Sequence, residues 1–280
     1  MPPIQPLAEA VAALDAKTPI GSVLTSADWA TVPVALRQRA QFSAGVTSAH
    51  LLQTVQDRLS AQLNQQREQL TNGNQATFDR SSFINAVREI ANDEGLGPGD
   101  GSIKDISSIP RLGLIYDMQT AQAAGFARNK LDTSEGALAL YPAYRLGESS
   151  ANDPRPLIFW QRRWHEAGTT VGWAGAMQTE FVALKTSPIW AALSTFGTPW
   201  PPFDWGSTRE LEEVDREEAI ALGLITDDWT PPAGAEGGED FNAELQASVS
   251  GLDAAITHQL GKWFGAAVKF VGDTIHWATT

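Results

Sequence analysis

A chain of 280 residues with 42% hydrophobic side chains, including ten Trp and eleven Phe, has apolar surface for one large core or two modest ones, which excludes global disorder. Its 20 basic and 33 acidic residues leave a charge of -13 at neutral pH, a balance that repels phosphate and argues against a general nucleic-acid coat or an anionic-membrane binder. There is no cysteine, so disulfides, thiolate metal sites and thiol nucleophiles are excluded together.

The first segment, MPPIQPLAEAVAALDAK, lacks the basic start and uninterrupted apolar run of a secretory signal, and no apolar run reaches membrane-spanning length. Synthesis and folding in the cytoplasm are expected. Within it LAEAVAALDA carries a short apolar pattern, and Ser26 in SADW is placed to cap a short turn. After Pro33 the spacing of Leu52, Val55, Leu59 and Leu63 predicts one long helix with a polar Gln/Arg face, broken near Gly45. TNGNQATFDR reads as a turn, and SSFINAVREIAN as a short helix opened by Ser81 or Ser82 and stopped by the glycines and proline of GLGPGDGS. The next helix, IPRLGLIYDMQTAQAAGFARNKL, repeats Leu112, Ile115, Met118 or Gln119, and Ala123 on one face. Its small residues Ala121, Ala123, Ala124 and Gly125 permit close approach of another backbone.

From about residue 136 the period changes. GALALYPAYRLG predicts one or two short strands interrupted at Pro142, and FWQRRWHEAG with VGWAGAMQTEFVALK mixes strand and turn signals. The stretch PPAGAEGGED at 231–240 reads as a linker. Beyond it Phe241, Leu245, Val249, Leu252, Ile256, Leu260, Trp263, Ala267, Val268, Val271 and Ile275 stand at near-helical spacing, as in one amphipathic helix docked on the body or on a neighbour. The expected fold is α+β and predominantly helical: a helical region over 1–132, a small α+β region over 133–230, the linker at 231–240, and an amphipathic helical tail over 241–280.

Few residues invite a chemical reading. His165 lies beside Arg162, Arg163 and Glu166; it is either an acid/base or anion-holding group or a surface histidine in a salt-bridged turn. His50, His258 and His276 share no ligand spacing with another histidine, and GLGPGDGS lacks the ligand spacing of a calcium loop. No phosphate loop, dinucleotide fingerprint or serine elbow is present. No cofactor and no metal site are expected. Residues 209–228 carry eight acids against two Arg, with Val214, Ala219 and Leu222 between them, a pattern that fits a solvated face better than a glycosidase pair.

The segment TPWPPFDWGSTRELEEV concentrates Trp200, Pro201, Pro202, Phe203 and Trp205. Adjacent prolines restrict the backbone before folding, and Gly206 permits a sharp change of direction. Rigid aromatic surface of this kind serves an interface anchor or a small-domain core.

With Pro188 and Trp190, the PPF step at 201–203, the WGS at 205–207, and EVDREEA followed by GL at 213–224, this run resembles the tailed-phage head-morphogenesis, or minor head, proteins of the phage Mu F-like family. LRQRAQFSAGVTSAHLLQTVQDRL and LIYDMQTAQAAGFARNK resemble two helices of the same family, so the likeness spans roughly residues 34–230. Many members end the proline motif with two cysteines around an arginine. Here Gly206, Ser207, Thr208 and Arg209 stand in that stretch, and no metal or redox role is carried over. Arg162 and His165 match a family arginine and histidine by spacing.

The resemblance implies a non-catalytic virion protein. It would be made in the bacterial host cytoplasm and incorporated into the head or neck. Its implied partners are the portal protein, the major capsid protein or both, as a homo-oligomer or ring, with no membrane contact. On this expectation the proline and aromatic segment makes one contact and the tail, through Trp263 and Phe264, a second, and polar substitution of those two would lower incorporation while leaving the body folded. Two alternatives remain. One is a DNA-binding accessory protein using Arg37, Arg39, Arg58 and Arg67 along one helix. The other is a small hydrolase or nucleotide-acting enzyme centred on His165 with Arg162 and the acids of 210–218.

Overall fold

The computed structural model describes residues 5–74, 79–147, 153, 155–172, 181–232 and 246–277. They form an α+β fold in which helices predominate and the strands make small sheets. The chain divides into two units, residues 1–119 with 240–280, and residues 120–239. The division therefore falls inside a helix and not at 132, and the C-terminal segment belongs with the N-terminal one.

The first unit opens with α1 (Gln5–Asp15), β1 (Thr18–Pro19) and α2 (Ser26–Ala30). Thr25, one residue before the expected Ser26, caps α2 and exchanges hydrogen bonds with Asp28 as a capping box. The long helix expected after Pro33 is two helices, α3 (Val34–Gln38) and α4 (Ala49–Thr71), with β2 (Ala40–Gln41) between them. There the backbone extends to pair in parallel with β1, Thr18 against Ala40 and Pro19 against Gln41, and Gly45 takes φ +73°. Leu51, Leu52, Val55, Leu59 and Leu63 form the buried stripe of α4, which packs on α1. From that stripe Gln56 Nε2 donates to the carbonyls of Leu14 (2.7 Å) and Lys17 (3.0 Å), satisfying groups that the end of α1 leaves open. α5 (Arg80–Asp93) is capped by Asp79, whose carboxylate accepts from Ser82 N, and not by a serine. α6 (Ile109–Asp132) starts in this unit, where Tyr116 packs on Phe83 at 5.1 Å and accepts from Gln62 at 2.7 Å.

The second unit takes the rest of α6, then α7 (Glu135–Leu140), β3 (Ala143–Leu146), α8 (Leu157–Thr170), β4 (Val182–Leu184), α9 (Ile189–Leu193), β5 (Leu211–Val214) and α10 (Arg216–Ala221). GALAL is thus a helical turn and only AYRL is a strand. FWQRRWHEAG is helical throughout, because Trp160, Trp164 and Ala167 recur on one face that the core buries. The sheet order is β4-β3-β5, antiparallel, with Ala143 against Leu184 and Val214. One core cluster gathers Tyr144, Trp160, Trp164, Trp190 and Phe203; another, on Ala143, Val182 and Val214, takes Ala219 and Ile225. The acidic run is β5 followed by α10, whose cap Asp215 accepts from Glu218 N (2.8 Å); Glu217 and Glu218 in the first turn suit the positive end of the helix.

The chain then returns to the first unit. Most of the expected linker, with Phe241 and Leu245, lies outside the described residues. The single tail helix is corrected: only α11 (Ala254–Phe264) is α-helical among the described residues, and β6 (Gln246–Ser248), β7 (Val268–Val271) and β8 (Thr274–Trp277) form an antiparallel sheet ordered β6-β8-β7. Gly265, at φ +51°, ends α11, and VKFVGDTIHW then alternates as a hairpin through Gly272 and Asp273. Ala247, Val249, Leu260, Phe264 and Ile275 share a core with Ile20, Val32, Leu36 and Ala40.

Candidate functional site

The proline and aromatic segment is assembled on the second half of α6. Gln122 holds it twice, accepting from Trp200 Nε1 (3.1 Å) and donating to the Pro202 carbonyl (3.0 Å). Gly125 makes this approach possible: a β-carbon there would collide with the Pro201 carbonyl and stand 2.7 Å from the Trp200 ring. The backbone for which the small residues of this helix leave room is therefore that of Pro201. Trp200 meets Phe126 edge-on at 5.4 Å. The peptide between Pro201 and Pro202 is cis.

Of the two roles open to this segment, most of its residues take the core one. Phe203 is fully buried and stacks on Trp190 at 6.2 Å; Trp200 and Pro202 are buried and Pro201 half-buried. Only Trp205 is exposed, at 46%, in edge contact with Phe196 at 5.0 Å. In the other unit Phe264 is buried against Trp277, and Trp263 is partly buried with its ring edge-on to Trp29 at 6.2 Å. Polar replacement of Phe264 would open the first unit's core, so the expectation that it leaves the body folded is withdrawn.

Asp204, which no motif flagged, organises the loop. Its carboxylate takes Arg155 Nε (3.0 Å), Arg163 Nη1 (3.3 Å), the Thr195 hydroxyl (3.0 Å) and Trp205 N (2.8 Å). Burial lowers the Arg163 guanidinium from its usual range, and Asp204 opposes that shift. Asp153 accepts from the Ser207 hydroxyl (3.1 Å) and Thr208 N (3.0 Å), so these two residues serve as turn donors. Around Phe159 the guanidinium carbons of Arg155, Arg162 and Arg163 lie 5.5, 5.9 and 5.7 Å from the ring centre.

His165 and Arg162 lie on the exposed face of α8, where Arg162 stands 3.7 Å from Glu166. Of the acids expected near them, Glu213 pairs with Lys185 (2.9 Å) and Glu218 with Arg145 (2.6 Å). The four arginines of the DNA reading do not share a helix: Arg37 lies on α3, Arg39 just beyond it and buried, and Arg58 and Arg67 on α4.

One concavity of the second unit is a cleft of about 390 Å³ whose lining includes neither His165 nor Arg162. Ala121, Ala124, Gly125, Arg128 and Asn129, one face of α6, line one side; Trp200 to Pro202 and Ser207 to Leu211 line the other. At its end Arg128 Nε meets Asp132 at 3.0 Å, and the Tyr144 hydroxyl donates to the same carboxylate at 2.8 Å. Burial, with the Asp132 charge, pushes the Tyr144 phenol far up, so it stays a donor. Lys185 Nζ sits 4.9 Å from the Tyr144 ring and also donates to the Asp132 carbonyl (3.1 Å). Arg209 donates to the Gly147 carbonyl at 2.6 Å and lies 5.9 Å from the Trp160 ring.

These fixed donors and small apolar surfaces are suited to holding a partner. No group of three His, Cys, Asp or Glu among the described residues is placed to hold a metal ion. No helix among the described residues is long and apolar enough to cross a membrane. Comparison with family models, curated proteins and solved structures finds no match to this chain.

Proposed function

We propose that the chain is a non-catalytic minor head protein of a tailed phage or prophage, acting in capsid assembly at the portal vertex or prohead interior through contacts with the portal protein, the major capsid protein or both. The observation that carries this reading is how the residues of the resembling segment are used. Pro188 opens α9, Trp190 and Phe203 fill the core, Gln122 clamps the proline step, and Ser207 and Thr208 hold the following turn. The motif builds a rigid support and does not gather reacting groups. It leaves Trp205 at the surface, while Leu157 and Ile158 on the first turn of α8 are exposed as well. Rigid, exposed apolar side chains lose little entropy on docking, as an assembly contact requires.

The test is affinity recovery of the tagged chain from cells expressing it with its gene neighbourhood, followed by electron microscopy of the particles. Recovery with portal or capsid protein, reduced at least about tenfold by Trp205→Glu with Leu157→Glu, is the expected result. Recovery of the chain alone, as a monodisperse species, would reject the assembly role.

A further inference from the structure

Two polar groups on residues that line the cleft of the second unit have no partner among the described residues. Asn129 lines it and is only 6% exposed. Its carbonyl accepts from Thr133, yet among the described residues nothing hydrogen-bonds its side-chain amide. The amide is not among the enclosed, unsatisfied polar atoms of the described residues, so it is reached from the cleft, and a ligand that supplies both a donor and an acceptor can bind it there.

The second group belongs to β5. Gly147 N donates to the Glu210 carbonyl at 2.9 Å, and Leu146 stands opposite Leu211. In an antiparallel ladder the hydrogen-bonded pairs alternate, so the N–H and C=O of Leu211 point away from β3. β5 is the edge of its sheet, and Leu211 lines the cleft. Arg128 Nη2 lies 3.5 Å from the Leu211 carbonyl, while its N–H has no partner among the described residues.

We infer that this cleft is a docking site for an extended, uncharged peptide segment of a partner protein. One of its carbonyls accepts from Leu211 N–H, and one of its peptide groups is held by the Asn129 amide, which matches a peptide's paired donor and acceptor. Ala121 and Ala124, both exposed, form a floor of small side chains over which an extended backbone can approach closely. The cations of the lining are engaged, Arg128 by Asp132 and Arg209 by the Gly147 carbonyl, and Glu210 adds an acid, so the lining offers a carboxylate no net preference. That the partner is a head protein rests on the proposed assembly role; the cleft's preference for peptide does not.

The test is an NMR titration of the full-length, isotope-labelled chain with N-acetyl-alanyl-alanine methylamide, and in parallel with sodium acetate. The expected result is a saturable shift of the Leu211 backbone amide and the Asn129 side-chain amide with the peptide and none with acetate. Asn129→Leu, which removes an unpartnered polar group, is expected to melt no lower than the parent while binding the peptide at least about tenfold more weakly. Ala124→Trp, at an exposed position of the floor, is expected to abolish the shifts. Unmoved resonances, equal shifts with acetate, or unchanged peptide binding by Asn129→Leu would each overturn the inference. Peptide binding without recovery of head proteins would reject the assembly role and keep the cleft; recovery of head proteins without peptide binding would do the reverse.

Discussion

Lys17 shows how a single burial sets a pH response. Its amine donates to Gln119 at 2.7 Å, and burial lowers its pKa from 10.5 to about 8. Above pH 8 the folded chain has released this proton while the unfolded chain retains it up to about 10.5. The unfolded state therefore binds more protons in that window, and the burial penalty, fully present below pH 8, is relieved as pH rises. Lys17→Met is expected to be about 1–3 kcal/mol more stable than the parent at pH 7, with the gap closing between pH 8 and 10.5. Denaturant midpoints at a series of pH values measure this, and a gap independent of pH would refute it. Asp204 presents the opposite case, a carboxylate whose removal strands two partly buried guanidiniums. Asp204→Ala is expected to cost about 2–4 kcal/mol, read as a loss of urea stability; a change within about 0.5 kcal/mol would mean that the arginines find solvent instead.

Among the elements, α6 was well marked by its apolar repeat, and the role of its small residues followed from their spacing. What approaches them is a proline-containing segment some eighty positions away in sequence. Gly125→Ala is expected to lower stability by about 1–3 kcal/mol through collision with Pro201 and Trp200, and calorimetry would register it as a lower melting temperature. α11 is capped by Asp253, whose carboxylate accepts from Ala255 N at 2.8 Å; Asp253→Ala is expected to cost about 1 kcal/mol. Two segments differ from the sequence expectation for one reason. In FWQRRWHEAG, where strand and turn signals mix, the tryptophans four apart also suit the helix α8; after α11, Val268, Val271 and Ile275 keep near-helical spacing although Gly265 and Gly272 interrupt it. Short apolar runs satisfy both periods, and only their packing partners choose between them.

For the molecule as a whole, the C-terminal segment is a structural part of the first unit. Deleting residues 246–280 removes Leu260, Phe264 and Ile275 from the core around Ile20 and Leu36. Limited proteolysis of that truncated chain is expected to cut residues 1–119 first and spare 120–232; equal resistance of both would show that the C-terminal segment is dispensable. The formal charge of -13 and the dispersal of Arg37, Arg39, Arg58 and Arg67 over separate elements predict no retardation of duplex DNA even at low salt, measured by gel shift.

The absence of cysteine by itself excluded disulfides and thiol chemistry, and the longest amphipathic repeats determined α4 and α6, because a helical stripe needs no knowledge of what covers it. The aromatic and proline segment was legible as rigid, but burial of Phe203 and exposure of Trp205 were not, since the same residue types serve core and surface. Asn129, Gln122, Asp204 and the open edge at Leu211 carry no motif. Only the tertiary structure decided them, because a hydrogen bond between residues eighty positions apart, or the lack of one, is a property of juxtaposition and leaves no period in the sequence.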